Sequence, residues 1–372
     1  MTSLADYTTL ALGGPAKAFI DAPTDAALID AVTDADASGE PVLILGGGSN
    51  LVIADDGFPG TVVHVSTRGA GYAEAAGDQV DVTVAAGEDW DDVVAAAVAE
   101  GLAGLECLSG IPGLVGATPI QNVGAYGHEV AEVITNVRVF DRQAKRVQAI
   151  PSESCDFGYR ISVFKAGGSP GDMGAGSPRA GEAPSPRASS SKGNPARYVV
   201  LGVTYRLTRG SLSMPVTYAE LAGELGVEIG ERAGVGEVRS AVLKIRARKG
   251  MVLNPGDPDT RSAGSFFTNP VLSAERYARL AAAAAGPVPR FDAGDGKVKV
   301  PAAWLIEHAG FGKGYGAPGP ARVSSKHTLA LINAGGATTA DLLALAREIR
   351  DGVRATFGVT LEPEPTLIGA TL

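Results

Sequence analysis

Short apolar runs separated by glycine and polar residues predict strands in the first half of the chain. Residues 41–45 form a continuous apolar run, and residues 80–85 alternate apolar and polar side chains at the two-residue period of a strand. Apolar residues recur at helical spacing in residues 25–38, with Thr24 as the N-cap, and in residues 90–100. Further strands are predicted at residues 51–53, 61–65, 136–141 and 198–207.

After about residue 209 the pattern changes to longer segments with helical spacing. Residues 301–306 and 328–333 fit either a strand or a helix, and residues 359–369 are predicted to be extended and to return to the first domain. We therefore predict that a second α+β domain follows the first. Helices are predicted at residues 235–249, 274–285 and 339–357.

Residues 166–197 differ in composition from the rest of the chain. They are mostly Gly, Pro, Ser and Ala, without aromatic residues or apolar periodicity. Such a segment cannot bury enough apolar surface to offset the entropy that is lost when it is ordered. We predict a flexible insertion here, and we expect the segments on either side, residues 157–164 and 198–207, to be neighbours in the fold.

The composition narrows the possible functions. At 372 residues, with 45% apolar and 20% charged residues, the chain is globular in type and exceeds what one hydrophobic core usually organises. Its 41 acidic and 32 basic residues give a net charge of −9, which argues against nonspecific binding of nucleic acid or of anionic membranes. A phosphate-bearing ligand must therefore be held by backbone N–H groups or by a few placed cations.

Three further features predict a cytosolic enzyme without a metal. No stretch approaches the roughly 20 apolar residues of a membrane-spanning helix, and the first residues lack the basic head and apolar core of a secretory signal. Cys107 and Cys155 are too few for a disulfide framework or a structural zinc site. The spacing of His64, His128 and His308 is not that of metal ligands, and we interpret these three residues as structural.

The segment Gly46-Gly47-Gly48-Ser49-Asn50 follows a predicted strand, as nucleotide-binding loops do. It lacks the Gly-Lys-Ser/Thr ending of a P-loop, and it leads into a strand rather than into the helix that a Rossmann loop opens. What remains is a glycine turn whose backbone can approach an anion, with side-chain donors from the serine and asparagine. Taken alone, the segment is more simply interpreted as a tight hairpin that binds nothing.

A second glycine-rich segment, residues 109–127, is mostly apolar and also contains proline. Neither a helix nor a strand accounts for that composition. Irregular apolar backbone must still satisfy its N–H and C=O groups, and a flat cofactor with polar edges, such as a flavin, would pair with them. A purely structural crossover loop is the alternative interpretation.

Both glycine segments, together with Gly158-Tyr159-Arg160, GSFFTNP at residues 264–270 and LEPE at residues 361–364, resemble the UDP-N-acetylenolpyruvoylglucosamine reductase family. The matches follow the family's order along nearly the whole chain. The resemblance implies an α+β fold, with a vanillyl-alcohol-oxidase or PCMH-type FAD-binding region of two α+β subdomains and a C-terminal α+β substrate domain. It also implies the longer subtype of the family, in which a tyrosine closes over the substrate.

The resemblance implies an activity and a division of the chain. The enzyme would reduce UDP-N-acetylglucosamine enolpyruvate to UDP-N-acetylmuramate for peptidoglycan synthesis, with FAD bound and NADPH as the hydride source. It is expected to be a cytoplasmic monomer. The expected divisions are residues 1–66 and 67–209 for the two FAD-binding subdomains, 210–357 for the substrate domain and 358–372 for a segment returning to the FAD site.

The reaction adds a hydride to the terminal methylene of an enol ether and a proton to the adjacent carbon. Negative charge spreads into the substrate carboxylate, so the site must supply a cation and an acid. The resemblance makes Arg160, whose planar guanidinium suits a carboxylate, the stabiliser of the developing enolate. It makes Ser265 the proton donor, and Glu364, chosen over Glu362, a protonated carboxyl that hydrogen-bonds the enolate.

The resemblance also implies which residues bind FAD and the substrate. Tyr218 matches the closing tyrosine, Lys249 matches a phosphate-binding lysine, and Asn269 and His327 fall at substrate-contacting positions. Residues 244–249 would also complement the dipole at a helix C-terminus. FAD contacts are expected from Gly46, Gly47, Gly48, Ser49, Asn50, Leu51, Gly110, Ile111, Pro112, Gly113, Gly116, Ala117, Gln121, Asn122, Gly124, Ala125 and Tyr126.

Two other function classes stay open at this point. One is another flavin oxidoreductase on the same scaffold, which acts on a small alcohol or sugar and need not carry Arg160, Ser265 and Glu364 together. The other is a nonenzymatic binder of sugar nucleotides, which has no need of an acid beside a flavin.

Overall fold

The computed structural model describes residues 1–165 and 197–372. The predicted flexible insertion lies outside the described residues, except for Arg197. The chain forms two compact units. The first contains Lys17–Gly47 and Pro59–Ala247, and the second contains Met1–Ala16, Gly48–Phe58 and Arg248–Leu372.

The described residues contain seven α-helices and nineteen strands. The α-helices are α1 (Asp25–Ser38), α2 (Trp90–Ala99), α3 (Ala219–Leu225), α4 (Val235–Arg248), α5 (Ala274–Ala283), α6 (Ala302–His308) and α7 (Thr339–Phe357). The strands are β1 (Ala16–Ala22), β2 (Val42–Leu45), β3 (Leu51–Ile53), β4 (Phe58–Val65), β5 (Ala70–Glu74), β6 (Gln79–Ala85), β7 (Leu102–Ala103), β8 (Gly124–Ala125), β9 (His128–Glu129), β10 (Ile134–Asp141), β11 (Arg146–Pro151), β12 (Tyr198–Arg209), β13 (Ser262–Ser265), β14 (Val271–Ser273), β15 (Phe291–Asp292), β16 (Lys297–Lys299), β17 (Ala321–Val323), β18 (Ala330–Asn333) and β19 (Thr366–Ile368). Short 3₁₀ turns lie at Leu4–Tyr7, Glu106–Leu108, Val115–Ala117, Val130–Glu132, Ser152–Ser154 and Pro258–Thr260.

The first unit is built on two sheets. One has the strand order β11–β10–β12–β6–β5, with antiparallel neighbours and with β7 added beside β12. The other has the order β1–β4–β2, in which β2 and β4 are parallel. Trp90 and Tyr205 are fully buried in the core that these sheets share, and a separate apolar cluster lies under α3 and α4.

The second unit has three small sheets. Their strand orders are β13–β18–β17, β14–β16–β15 and β19–β3, and the last pair is parallel. Phe266, Phe267 and Leu305 are buried in its core together with the apolar face of α7. The pairing of β19 with β3 brings the end of the chain to the strand that follows the first glycine turn.

The strongest patterns in the sequence are confirmed. Helix α1 spans the predicted residues, and the Thr24 side chain accepts the N–H of Ala27 at 3.2 Å. Helix α7 also matches its prediction and begins with a capping box between Thr338 and Asp341. Of the two ambiguous segments, the first becomes α6 and the second becomes β18, the central strand of its sheet, whose four residues are all buried.

The segments on either side of the insertion are neighbours, as predicted. The rings of Phe164 and Tyr198 lie 5.9 Å apart in an edge-to-face contact. Of the two flanking segments, the later one is strand β12, whereas the earlier one contains a tight turn between Gly158 and Ile161. Among the described residues, no helix is both long enough and apolar enough to cross a membrane.

Both cysteines lie in apolar surroundings, and this leads to a prediction about their reactivity. Burial raises the pKa of Cys107 and of Cys155 to about 12, so both stay as thiols near neutral pH, and the thiolate is the reactive form. We expect neither to react with iodoacetamide at pH 8 in the folded protein, whereas both react in guanidinium chloride. Labelling would be read by mass spectrometry, and rapid labelling of the folded protein would contradict the prediction.

Candidate active site

The two predicted glycine segments meet in the first unit. A Cβ added to Gly47 would lie 2.9 Å from the Cα of Gly113, which is closer than side chains tolerate. A Cβ added to Gly46 would contact the side chain of Leu114 at 3.7 Å. The close approach at Gly47 requires glycine, whereas a side chain at Gly46 would make an ordinary contact.

Residues 113–117 are fixed to residues 86–90 by main-chain contacts. The N–H of Gly116 donates to the carbonyl of Ala86 at 2.8 Å, and the N–H of Trp90 donates to the carbonyl of Gly113 at 3.0 Å. A Cβ added to Gly116 would lie only 2.7 Å from the Cβ of Ala86. These bonds tie the segment to Trp90, which is fully buried. The predicted cofactor residues here are therefore held by a part of the chain that is fixed in the core.

The side chain of Asn122 hydrogen-bonds other protein groups, whereas the side-chain oxygen of its neighbour Gln121 has no such bond to the described residues. The Nδ2 of Asn122 donates to Glu129 Oε2 at 2.6 Å and to the carbonyl of Gly158 at 3.1 Å. Its Oδ1 accepts the N–H of Ala131 at 3.1 Å. The buried Oε1 of Gln121 has no hydrogen-bond partner within residues 1–165 and 197–372. Because buried acceptors are rarely left unpaired, Gln121 fits a ligand that brings an N–H or O–H group.

Arg160 lies in the tight turn between Gly158 and Ile161, which exchange two main-chain hydrogen bonds of 3.1 Å. Its φ is +58°, a left-handed value that strains a residue other than glycine. The guanidinium donates to the carbonyl of Gly124 at 3.0 Å and to that of Asn122 at 3.4 Å. The structure therefore brings Arg160 to two predicted cofactor residues, and the strain at a residue so firmly held points to a function.

Strands β8 and β9 form a hairpin with Tyr126 and Gly127 at its tip. Both have positive φ, +52° and +87°, as a two-residue hairpin turn requires. The ring of Tyr126 makes an edge-to-face contact of 5.5 Å with Tyr218, which is 43% exposed. Burial raises the pKa of Tyr126 to about 12, so its hydroxyl remains a hydrogen-bond donor at neutral pH. A predicted cofactor residue and a predicted substrate residue thus lie together.

The sequence analysis did not assign three charged residues beneath these loops to the site. Asp91 Oδ1 accepts the N–H of Gly110 at 2.6 Å, and the two Asp91 oxygens accept the Arg239 guanidinium at 2.6 and 2.9 Å. Burial alone would raise the pKa of Asp91, but these hydrogen bonds hold it below its usual value. Arg246 is 5% exposed and hydrogen-bonds the hydroxyl of Tyr126, and burial lowers the pKa of its guanidinium.

In the second unit, Gly48 begins a stretch of backbone with free donors. Its φ is +58°, and a Cβ there would lie 1.9 Å from the carbonyl oxygen of Tyr7, so only glycine fits. Within the part of the chain that the structure describes, the N–H groups of Gly48, Ser49 and Asn50 donate no hydrogen bond. Donors on bare backbone suit an anion such as a phosphate. Leu51 follows as the first residue of β3.

The structure brings Ser265 and Glu364 together in the second unit. The N–H of Glu364 donates to the carbonyl of Phe266 at 2.9 Å, and its own carbonyl accepts Asn50 Nδ2 at 3.5 Å. Glu364 is half-buried, whereas Glu362 is exposed. The half-buried Ser265 ends β13, and its Oγ makes no hydrogen bond to any residue that the structure describes. A hydroxyl and a carboxyl are therefore held on adjoining backbone.

Lys249 and His327 are linked through their neighbours, also in the second unit. A Cβ added to Gly250 would lie 3.4 Å from the Cδ of Lys326, so the residue after Lys249 packs on the residue before His327. The N–H of His327 donates to Ser324 Oγ at 3.3 Å, which fixes the backbone of its turn. Both predicted substrate residues are half-buried.

Asn269 has a different setting from those two residues. Its Oδ1 accepts the N–H of Ala302, the first residue of α6, at 2.9 Å. That bond satisfies one of the donors that a helix start leaves unpaired. It also orients the amide, so the Nδ2 group is the part of Asn269 that can face a ligand.

The chain was compared with known proteins. Two family profiles match it: "FAD binding domain" at residues 16–149 and "UDP-N-acetylenolpyruvoylglucosamine reductase, C-terminal domain" at residues 257–368. The UDP-N-acetylenolpyruvoylglucosamine reductase of Thermobifida fusca is 52% identical over 375 residues, covering 99% of this chain and 97% of that protein. The chain belongs to the UDP-N-acetylenolpyruvoylglucosamine reductase family. The family member of Saccharopolyspora erythraea is 51% identical over 378 residues, covering 100% of this chain and 96% of that protein.

A solved structure agrees with this membership. The crystal structure of the UDP-N-acetylenolpyruvylglucosamine reductase from Thermus caldophilus matches with a TM-score of 0.62 and 25% identity, covering 99% of this chain and 97% of that one. The predicted family, the FAD-binding region and the C-terminal domain of the reductase type are thereby confirmed.

The residues present fit FAD. In the first unit, the unpaired Oε1 of Gln121 suits an N–H or O–H group of the cofactor. In the second unit, the N–H groups of Gly48, Ser49 and Asn50 suit its phosphates.

Proposed function

We propose that the chain reduces UDP-N-acetylglucosamine enolpyruvate to UDP-N-acetylmuramate in peptidoglycan synthesis, with FAD bound and NADPH as reductant. The observation that carries the proposal is the identity of about half of all residues, over 99% of the chain, to reductases of this name. Supporting it, Ser265 and Glu364 are held on adjoining backbone, and Arg160 is held in a strained turn beside predicted cofactor residues. A cytoplasmic location, a monomeric state and membership of the longer subtype remain predictions.

FAD would be held by the two glycine segments, with Gln121 as an additional acceptor. The bound cofactor supplies the hydride for the methylene carbon of the substrate and accepts one from NADPH. The protein residues bind, orient and protonate. The backbone of residues 46–50 and 110–117 can approach the cofactor closely because glycine leaves it bare.

The three catalytic residues would divide the remaining chemistry. Arg160 pairs its guanidinium with the substrate carboxylate and stabilises the charge that develops there. Ser265 Oγ gives its proton to the carbon next to the ether oxygen. Glu364, as a protonated carboxyl, hydrogen-bonds the enolate. The UDP-sugar would be held by Tyr218 and by a group of three residues, Lys249, Asn269 and His327.

The function is tested by the colour of the protein. Purified protein should be yellow, NADPH should bleach it, and adding UDP-N-acetylglucosamine enolpyruvate should restore the colour with formation of UDP-N-acetylmuramate. A colourless protein that still binds the UDP-sugar would indicate a nonenzymatic binder. If oxygen restored the colour as fast as the UDP-sugar does, another flavin oxidoreductase acting on a small alcohol or sugar would be indicated.

Replacing Asp91 should weaken FAD binding. Asp91→Asn keeps the size of the side chain but weakens its bonds to Arg239 and to the N–H of Gly110. We expect the Kd for FAD to rise about tenfold, as measured by fluorescence when FAD is added to the apoprotein. The exposed neighbour Asp92 serves as the control, because Asp92→Asn should bind FAD like the unmodified protein. Equal affinity for FAD in both variants would show that the Gly110 turn does not need the hydrogen bond to Asp91.

A further inference from the structure

Two segments of the first unit contact each other residue by residue. One is the β8–β9 hairpin and the other is the stretch from Pro215 to Tyr218. Tyr126 meets Tyr218 at 5.5 Å between ring centroids. Gly127 is packed so closely on Thr217 that an added Cβ would lie 2.1 Å from its hydroxyl oxygen.

His128 makes the third contact between these segments, and it is the most directional one. Its ring is buried, with Nε2 2.8 Å from the carbonyl oxygen of Pro215 and Nδ1 2.8 Å from Glu132 Oε2. A carbonyl can only accept, so Nε2 donates to Pro215. Glu132 in turn accepts the N–H of Glu129 and is itself held in place.

The start of the Pro215–Tyr218 stretch is fixed by other bonds. The N–H of Met214 donates to the fully buried Glu106 at 2.6 Å, and Val216 exchanges main-chain hydrogen bonds with Glu231 and Gly230. These bonds hold the segment up to Val216. Gly127 packs on Thr217, the residue immediately before Tyr218, and His128 bonds the Pro215 carbonyl at the start of the stretch. The exposed ring of Tyr218 can reach a ligand.

We propose that His128 is a positioning residue for substrate binding: by its bond to the Pro215 carbonyl it sets the backbone that presents Tyr218 to the UDP-sugar. This rests on the proposed substrate role of Tyr218. His128 does not touch the substrate. Its effect falls on the affinity for the UDP-sugar and not on the reaction of NADPH with the bound flavin.

Two substitutions of His128 separate this role from simple packing. The amide nitrogen of glutamine falls near the position of Nε2, so His128→Gln keeps a donor for Pro215. The amide nitrogen of asparagine falls near Nδ1, so His128→Asn keeps a partner for Glu132 but leaves the Pro215 carbonyl without a donor. We expect His128→Asn to raise the KM for UDP-N-acetylglucosamine enolpyruvate about tenfold with NADPH bleaching unchanged, and His128→Gln to stay within about twofold.

Hydrogen exchange tests the positioning without substrate. In His128→Asn, the amides of residues 216–218 should exchange faster than in the unmodified protein, and in His128→Gln they should not. Unchanged exchange in both variants, or an equal rise in KM in both, would overturn the proposal. Tyr218→Ala tests the underlying role separately. If that variant kept a normal KM, the substrate role of Tyr218 would fail, whatever the exchange data showed about His128.

Discussion

In Ser265→Ala, kcat for reduction of the enolpyruvyl UDP-sugar should fall by about 10² to 10⁴, the range that a positioned acid contributes. The hydroxyl is the proposed proton source for the carbon next to the ether oxygen, and alanine removes only that oxygen. Ser265 Oγ makes no hydrogen bond among the described residues, so its loss breaks no bond of the fold that they form. The KM for the UDP-sugar should change little. Stopped-flow absorbance would show that NADPH still bleaches the flavin at the normal rate while reoxidation by the UDP-sugar becomes slow.

A second hydroxyl on the same segment provides the control. Thr268 lies three residues after Ser265, and its Oγ1 donates a long 3.4 Å hydrogen bond to the carbonyl of Glu362. Thr268→Ala should therefore keep kcat within about twofold, because it removes a hydroxyl without removing the acid. Reoxidation at the normal rate in Ser265→Ala would mean that the proton comes from another group.

The glycine segments were the part of the site that the sequence made visible. Gly47 is a glycine because the backbone of Gly113 lies where a side chain would be, and that constraint is visible in the sequence as an excess of glycine. It does not show what the backbone approaches. Each segment therefore left a hairpin or a crossover loop open as an alternative until family membership was on hand.

The charged network under the loops was invisible for a different reason. Asp91 and Arg239 are 148 residues apart in the sequence, so no local pattern joins them. Arg239 and Arg246 are seven residues apart on α4, two helical turns, and so share a face with the buried Val242. That spacing on an otherwise apolar face was the available signal, but Arg246, near the C-terminus of α4, is more simply explained by the helix dipole.

His128 illustrates how far a histidine can be interpreted from sequence. Without metal-ligand spacing, the sequence predicts a structural residue. What it holds depends on the register between the hairpin and residues 215–218, and that register is set by tertiary packing. The tight turn within residues 157–164 is also not visible in the sequence, because Arg160 takes a φ value that its residue type disfavours.

Replacing Arg160 with lysine should be nearly as damaging as removing the hydroxyl of Ser265. Lysine keeps the charge and meets the same backbone strain at φ +58°, so the change isolates the guanidinium. The ammonium group cannot form two parallel bonds to a carboxylate, nor reach the carbonyls of Gly124 and Asn122 with the same geometry. We expect kcat/KM for the UDP-sugar to fall by about 10² to 10³, as when one stabiliser of a developing negative charge is lost.

A second arginine in the first unit, which also makes two parallel hydrogen bonds, provides the control. It shows whether replacing any guanidinium by an ammonium group lowers kcat/KM. Arg206 pairs with Asp81 through two bonds of 2.8 and 2.9 Å on an exposed surface. Arg206→Lys should leave kcat/KM unchanged, since exposed pairs of this kind add little even to stability. Steady-state kinetics with varied UDP-sugar, together with thermal melting of both variants, would check the comparison. If Arg160→Lys stayed within about twofold of the unmodified enzyme, a point charge alone would suffice at this position, and the pairing of the Arg160 fork with the substrate carboxylate would have to be abandoned.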